Sequence, residues 1–246
     1  MITSIILALV LALAAPAPPP EKPGYAPTAH FTVRDIEGWK VYVHNRLLGE
    51  KKALGDETLK LLAVHLYDVN RMVPKPALGR LHEVPIWVEA DNGARVKCMC
   101  YHPSKEWLEG HDFNPEKAKA VELGDPVTFL DWTRHQRAMV LHELAHGYHH
   151  RIGYDNPDIK AAYQKAVESK SYESVLYYNG SKKRAYALNN DQEYFAELTE
   201  AYFSTNDFYP FVRPEIKEHD PAGYEMLKKI WAGEPAKAGG QPGSPG

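Results

Sequence analysis

The stretch that decides how this chain folds is His142-Glu143-Leu144-Ala145-His146. Residues four positions apart lie on one face of an α-helix, one turn apart, so both imidazoles can reach a single tetrahedral metal ion. The side chains around the motif are apolar and indicate a buried helix: Met139, Val140, Leu141, Leu144 and Ala145. Two histidines and a glutamate inside a buried helix require polar partners. The stretch therefore predicts a metal-binding helix inside the fold.

A catalytic zinc ion normally has three protein ligands and one open position for water. Glu143 projects beside the histidine face, where it can accept a proton from metal-bound water. The third ligand is expected in a downstream helical segment, in which Glu193 and Glu197 share one face and Glu200 lies a further turn along. We predict Glu193 as the ligand and Glu197 as the acceptor for the second N–H of a ligand histidine. The reverse register, with Glu197 as the ligand, and a solvated acidic face stay open at this point.

Histidines are concentrated near the motif. The chain has 12 histidines, and those closest to the motif are His135, His149 and His150. A helix that already supplies two ligands would have to bend to supply a third, so His149 and His150 are predicted to be surface or supporting groups. Tyr186 stands before the glutamate helix, where a phenol could donate a hydrogen bond to a developing oxyanion. A packing role for this tyrosine is the alternative.

These motifs together resemble a known family. The sequence His142-Glu-Leu-Ala-His146, then Tyr186, then Glu193-Tyr-Phe-Ala-Glu197 is similar to the catalytic domain of anthrax lethal factor and its relatives, which include the secreted Pro-Pro endopeptidases of clostridia. The resemblance covers roughly residues 129 to 207, and the segment Ser204 to Asp207 shares it. The doublet His149-His150 and the aromatic residues near the hairpin depart from the family pattern.

The resemblance implies a zincin-like metallopeptidase domain that holds Zn²⁺ through His142, His146 and Glu193. It implies that Glu143 is the general base and that Tyr186, seven residues before the glutamate ligand, assists at the carbonyl oxygen. That spacing favours Glu193 over Glu197 as the ligand. The expected substrate is a peptide or protein.

Composition and the chain ends predict the domain organisation. A length of 246 residues suits one main domain, placed at 29–233, and the formal net charge of -3 gives no basic footprint for nucleic acid. Residues 1–14 read as a signal peptide, 15–28 as a Pro/Ala-rich linker and 234–246 as a disordered Gly/Pro tail. The protein is thus expected to be secreted or held in the cell envelope, without stable membrane insertion after signal cleavage. An uncleaved N-terminal anchor is the alternative.

The hydrophobic pattern predicts an α+β fold with a small N-terminal sheet and a mainly helical C-terminal half. Strand signals occur at 31–47, with Trp39, Val41 and Val43 alternating, and a strand pair is expected from 84–89 and 95–101 around the turn at 91–93. Asn179-Gly180 predicts a second hairpin. Predicted helices span 57–72, 131–151 (ending at Gly153), 157–168, 190–203 and 221–231 (with Asp220 as N-cap).

Cys98 and Cys100 are the two cysteines of the chain. Their spacing on a predicted strand places both thiols on one face, too far apart for an unstrained disulfide. Two semi-buried thiols are expected, and a second metal site is the alternative. For the whole chain, the main rival to a peptidase is an extracellular binding or structural protein stabilised by zinc. A zinc peptidase delivered into another cell is a further alternative.

Overall fold

A computed structural model describes residues 24–92 and 95–232. The predicted signal peptide, residues 15–23 of the predicted linker and the predicted tail lie outside the described residues. The described strands are β1 Phe31–Ile36, β2 Trp39–His44, β3 Ile86–Val88, β4 Met99–His102, β5 Ala120–Leu123, β6 Val175–Leu176 and β7 Lys182–Lys183. The described helices are α1 Asn45–Leu48, α2 Lys52–Met72, α3 Lys75–His82, α4 Lys105–Gly110, α5 Pro126–Trp132, α6 Met139–Ile152, α7 Pro157–Ser169, α8 Asp191–Phe203, α9 Arg213–His219 and α10 Pro221–Trp231.

The fold is α+β, as predicted, with a five-stranded mixed sheet in the N-terminal half and helices in most of the rest. The strand order is β1-β2-β3-β5-β4. Strands β2, β3 and β5 run parallel, and β1 and β4 lie antiparallel at the two edges. The alternating residues Trp39, Val41 and Val43 are fully buried, so the predicted period of two fits β2. The strand signals predicted at 31–47 correspond to the hairpin β1–β2, which turns at Glu37 and Gly38, both with positive φ.

The predicted strand pair 84–89 with 95–101 is wrong. Strands β3 and β4 exist at those places, but β5 lies between them and pairs with both. The hydrophobic pattern does not predict strand β5, because the charged residue Glu122 interrupts its run of four buried residues. One consequence matters for the site: β4 becomes an edge strand rather than the partner of β3.

Helix α6 crosses the sheet close to β4 and contains the central motif. Gly147 permits this approach, since a Cβ atom there would lie only 2.9 Å from Cγ2 of Val84. The helix ends at Gly153, which adopts φ 96 as its C-cap. The predicted helix at 131–151 is two helices, because the chain turns between Trp132 and Met139 before α6 begins.

Helix α8 packs along α6, and α10 packs against α8 and against Tyr148 of α6. The hydroxyl groups of Tyr172 and Tyr194 both donate to Oδ2 of Asp220, at 3.1 and 2.5 Å. Asp220 also accepts from the backbone N–H of Gly223 at 2.8 Å, which confirms it as the N-cap of α10. Trp231 at the other end of α10 donates from Nε1 to the Thr199 hydroxyl on α8 at 3.1 Å.

The remaining predicted elements have simple outcomes. The hairpin around Asn179-Gly180 is confirmed as β6–β7, with Gly180 at φ 83. Its second strand is Lys182–Lys183, however, and not the segment 184–188 expected from the sequence, in which residues 186–188 form a 3₁₀ turn. Residues 24–28 of the predicted linker lie against the domain: the backbone N–H of Gly24 donates to Oδ2 of Asp112 at 2.9 Å, and Nδ2 of Asn114 donates to the Ala26 carbonyl at 3.2 Å. Among residues 24–92 and 95–232, no helix has the length and apolar character needed to cross a membrane.

Candidate metal centre

Helices α6 and α8 bring the three predicted ligands together. Nε2 of His142 lies 3.1 Å from Nε2 of His146 and 3.2 Å from Oε2 of Glu193. The third distance, from Nε2 of His146 to Oε2 of Glu193, is 3.3 Å. Three electron-rich atoms from two separate helices therefore form a nearly equilateral triangle.

This triangle has the dimensions of a zinc site. In a tetrahedral site with bonds of about 2.0–2.1 Å, neighbouring ligand atoms are roughly 3.3–3.4 Å apart. The set of two imidazole nitrogens and one carboxylate oxygen is also one that zinc prefers. The residues present thus fit a zinc ion on both geometry and chemistry.

The second nitrogen of His142 settles how that ring is oriented. Nδ1 of His142 hydrogen-bonds Oε1 of Glu200 at 2.7 Å. A proton on Nδ1 leaves the lone pair of Nε2 free for a metal. The prediction that Glu197 accepts this hydrogen bond is wrong, because its Oε1 is 3.9 Å from Nδ1. Glu200, one turn further along α8, takes that position.

The short distances between the predicted ligand groups shift the pKa values of Glu193 and His142. Burial would raise the pKa of Glu193, but hydrogen bonds to His142 and His146 lower it far below its usual range. Burial would likewise lower the pKa of His142, and the hydrogen bonds to Glu193 and Glu200 raise it well above its ordinary value. Glu193 is therefore an ionised carboxylate that lies beside both imidazole rings.

Glu143 and Tyr186 lie at a cleft beside the triangle. Two adjoining cavities, of about 380 and 290 Å³, are both lined by His142, Glu143, Tyr186 and Met99. Tyr186 opens a short 3₁₀ turn before α8 and is 46% exposed. Burial of part of the ring and the nearby charge of Glu193 raise its pKa, so the phenol keeps its proton at neutral pH. The structure thus brings together both predicted catalytic residues and the predicted ligands.

Three carboxyl groups line the larger cavity and form what we call the acidic cluster: Glu197, Glu200 and Asp207. Each is at most 4% exposed. Burial and the repulsion from Glu200 raise the pKa of Glu197 well above its ordinary value, and burial raises the pKa of Glu200 and Asp207. The sequence placed Glu193, Glu197 and Glu200 on one face, but it gave no role to Glu200 or Asp207.

The extra histidines of α6 are not at the metal centre. His149 is fully buried against Phe195 and Tyr154, and burial lowers its pKa to about 4. His150 is held by the Tyr101 hydroxyl, 2.8 Å from its Nδ1. The expectation of surface or supporting groups is therefore wrong for His149, which is part of the core.

A second group of buried polar and charged side chains lies at strands β4 and β5, and we call it the paired network: Glu89, His102, Lys117 and Glu122. Nζ of Lys117 donates to Oε1 of both Glu89 and Glu122, at 2.5 and 2.9 Å. Nε2 of His102 lies 2.6 Å from Oε2 of Glu122, a hydrogen-bond distance too short for two ligands of one metal.

The two cysteines differ in their surroundings. Cys100 is adjacent to the paired network, with Sγ 3.5 Å from Nε2 of His102. Cys98 is buried with Sγ 3.0 Å from Sδ of Met139, and burial raises its pKa to about 12. Both thiols are free. Cys100, His102 and Glu122 lie close enough together to hold a metal ion, and here His102 and Glu122 are hydrogen-bonded to each other, so the second metal site considered from the sequence stays a prediction.

Comparison of the chain with known proteins gave no match to a family model, to a curated protein or to a solved structure. The resemblance to the lethal factor family therefore rests on the motifs and stays a prediction.

Proposed function

We propose that this protein is an exported zinc-dependent endopeptidase with a zincin-like fold. The observation that carries the proposal is the triangle of His142, His146 and Glu193 atoms, with edges of 3.1 to 3.3 Å, beside a cleft that also receives Glu143. A metal with three protein ligands and one side toward a cleft is the arrangement of catalytic rather than structural zinc.

When bound, zinc supplies Lewis acidity, which makes water more acidic and polarises a carbonyl oxygen. Glu143 accepts the proton of the attacking water and then delivers it to the nitrogen of the departing amine. Tyr186 keeps its proton at neutral pH and donates a hydrogen bond to the carbonyl oxygen as negative charge develops there. Glu200 fixes the ring of His142 by accepting from Nδ1.

The edge strand supports a peptide as substrate. Strand β4 ends the sheet, and its first residue, Met99, lines both cavities beside Glu143. An extended peptide can add to the free edge of a sheet through its backbone groups. Tyr101 and Pro103 continue the wall of the smaller cavity, so the cleft follows the strand and offers room on both sides of the triangle.

The proposal is tested by incubating the zinc-loaded protein with a diverse peptide library, with Glu143→Gln and Glu57→Gln beside the wild type. Glu57 is an exposed carboxylate on α2, so its variant controls for the loss of one charge. We expect cleavage by the wild type and by Glu57→Gln, and a loss of roughly 10²- to 10⁴-fold in Glu143→Gln. Both variants should retain one zinc ion per chain, which mass spectrometry of the native protein measures.

Equal cleavage by wild type and Glu143→Gln would contradict the role of Glu143. No cleavage by any of the proteins, with zinc bound, would turn the assignment toward a binding protein stabilised by zinc.

A further inference from the structure

The acidic cluster has an unusual balance of charge. Glu197 and Glu200 each leave one oxygen, Oε2, buried and without a hydrogen-bond partner among the described residues. Asp207 accepts from Nε2 of Gln136 at 3.1 Å. Within the described part of the chain, no lysine or arginine forms an ion pair with any of the three carboxylates or lines their cavity. A bound zinc ion would be held by the three ligand residues, and the carboxyl groups of the cluster would still have no cation beside them.

The walls of the same cavity are aromatic. Trp132, Tyr177 and Phe208 line it together with Met139 and the carboxyl groups. Its volume of about 380 Å³ is far larger than a single metal ion needs and suits an organic group. Aromatic faces attract organic cations, and buried carboxylates need a cationic partner. The aromatic wall and the carboxyl groups therefore both favour an organic cation.

We propose that the larger cavity binds a positively charged organic group of the substrate, an ammonium or a guanidinium, between the acidic cluster and the aromatic wall. This inference rests on the proposed function and adds a substrate class: peptides with a basic side chain, or a free α-amino group, beside the scissile bond. The carboxyl groups of Glu197, Glu200 and Asp207 line this cavity and are the partners of the cation.

A second metal ion bound by the acidic cluster is a less well supported alternative. His142, Glu197 and Glu200 lie close enough to hold a cation. However, Nδ1 of His142 already hydrogen-bonds Glu200, and its other nitrogen belongs to the ligand triangle. The histidine thus has no free nitrogen for a second ion.

The test measures binding, so that it does not depend on turnover. Zinc-loaded Glu143→Gln protein is titrated calorimetrically with N-acetyl-arginine methylamide and its neutral citrulline counterpart, and with N-acetyl-lysine methylamide. Leucine methylamide, with a free amino group, is compared with its N-acetylated form. The same ligands are then titrated into three double variants, which combine Glu143→Gln with Glu197→Gln, with Asp207→Asn or with the control Glu57→Gln. Zinc content is measured for each variant.

We expect each cationic ligand that fits to bind roughly tenfold to hundredfold more tightly than its neutral counterpart. Glu197→Gln should remove most of that preference, Asp207→Asn part of it, and Glu57→Gln none. A preference for the arginine or lysine ligands identifies a side chain as the source of charge, and a preference for free leucine methylamide identifies the α-amino group.

Equal binding of charged and neutral ligands would overturn the inference, as would a preference that both cluster variants leave intact. Tight binding of Ca²⁺ alone, lost in Glu197→Gln, would also overturn it in favour of a second metal. Peptide cleavage without charge preference would refute this inference and leave the proposed function standing. Charge-selective binding without any cleavage by the wild type would refute the proposed function and leave this inference standing.

Discussion

Two groups of buried charged side chains lie in this protein, and they are built differently. In the paired network, Lys117 lies between two glutamates, and Glu122 also receives hydrogen bonds from His102 and from Nδ2 of Asn92, at 2.6 Å each. In the acidic cluster, the hydrogen-bond partners are the uncharged side chains of Gln136 and Asn206 and one histidine, and two oxygens lack partners among the described residues. Removing the lysine from the first group leaves buried carboxylates without a cation and destabilises the fold, whereas the second group has no lysine or arginine to lose.

Removing the cation from the paired network should give the largest effect. Lys117→Met leaves Glu89 and Glu122 buried without their counter-charge, and we expect a loss of about 3–5 kcal/mol in the free energy of unfolding. Urea denaturation measures this loss. The control is Lys52→Met, which breaks an exposed pair with Asp56 and should change stability by less than about 1 kcal/mol. Similar effects in the two variants would remove the distinction between paired and exposed charges.

The second-largest effect is expected from acid, which should remove the stabilisation that the ionised Glu122 provides. Burial would raise the pKa of Glu122, but the hydrogen bond from His102 and the charge of Lys117 lower it from 4.5 to about 2. A lowered pKa means that the stabilisation is present above the unfolded value and is lost as pH falls from about 4.5 to about 2. From this shift we expect the loss to reach about 3 kcal/mol.

Stability measured by urea denaturation across that pH range, in wild type and Glu122→Gln, checks this expectation. The wild type should lose stability more steeply, because the amide introduced by the substitution binds no proton. Identical pH profiles would show that Glu122 is not what the acid titrates.

At the metal centre, the change in zinc affinity should be smaller and specific. Glu200→Gln weakens the acceptor that orients His142, so we expect zinc to bind roughly 10- to 100-fold less tightly. Competition with a chromogenic chelator measures the affinity. Glu122→Gln removes a carboxylate of the same charge from the paired network and should leave zinc affinity unchanged. Equal weakening in both variants would indicate a general loss of structure.

The smallest expected effect is a gain in the free energy of unfolding rather than a loss. Since burial and the repulsion from Glu200 raise the pKa of Glu197, its charged form destabilises the metal-free fold as pH rises above the unfolded value. Glu197→Gln should therefore stabilise the metal-free protein by roughly 0.5–1 kcal/mol at neutral pH. The gain should vanish at about pH 3, well below the unfolded pKa, where the carboxyl group is protonated in both states. Thermal unfolding in chelator at the two pH values tests this, and a loss of stability at neutral pH would contradict it.

The comparison also separates what the sequence predicts from what it cannot. The spacing of His142, Glu143 and His146 within a helix follows from the local period, and so do α8 and the capped start of α10. The choice between Glu197 and Glu200 does not, because both lie on one face of α8 and the crossing of α8 over α6 decides which reaches Nδ1 of His142.

The sheet was harder to predict than the helices. A turn signal at 91–93 between two strand-like runs favours a hairpin, and only long-range pairing places β5 between β3 and β4. The paired network was missed for the same reason. Glu89, Lys117 and Glu122 are ordinary surface residue types in the sequence, and they become a buried network only when β3 and β5 lie side by side.

The position of Asp220 in the chain separates the candidate site from part of its support. Every proposed ligand and catalytic residue lies before Phe203, yet the carboxylate that holds Tyr172 and Tyr194 comes later in the sequence. A chain that ends at Phe203 has the complete set of proposed zinc-binding side chains but lacks α10, which packs against α8 and against Tyr148 of α6. The candidate metal centre therefore gains this support only when Asp220 and α10 have joined the fold.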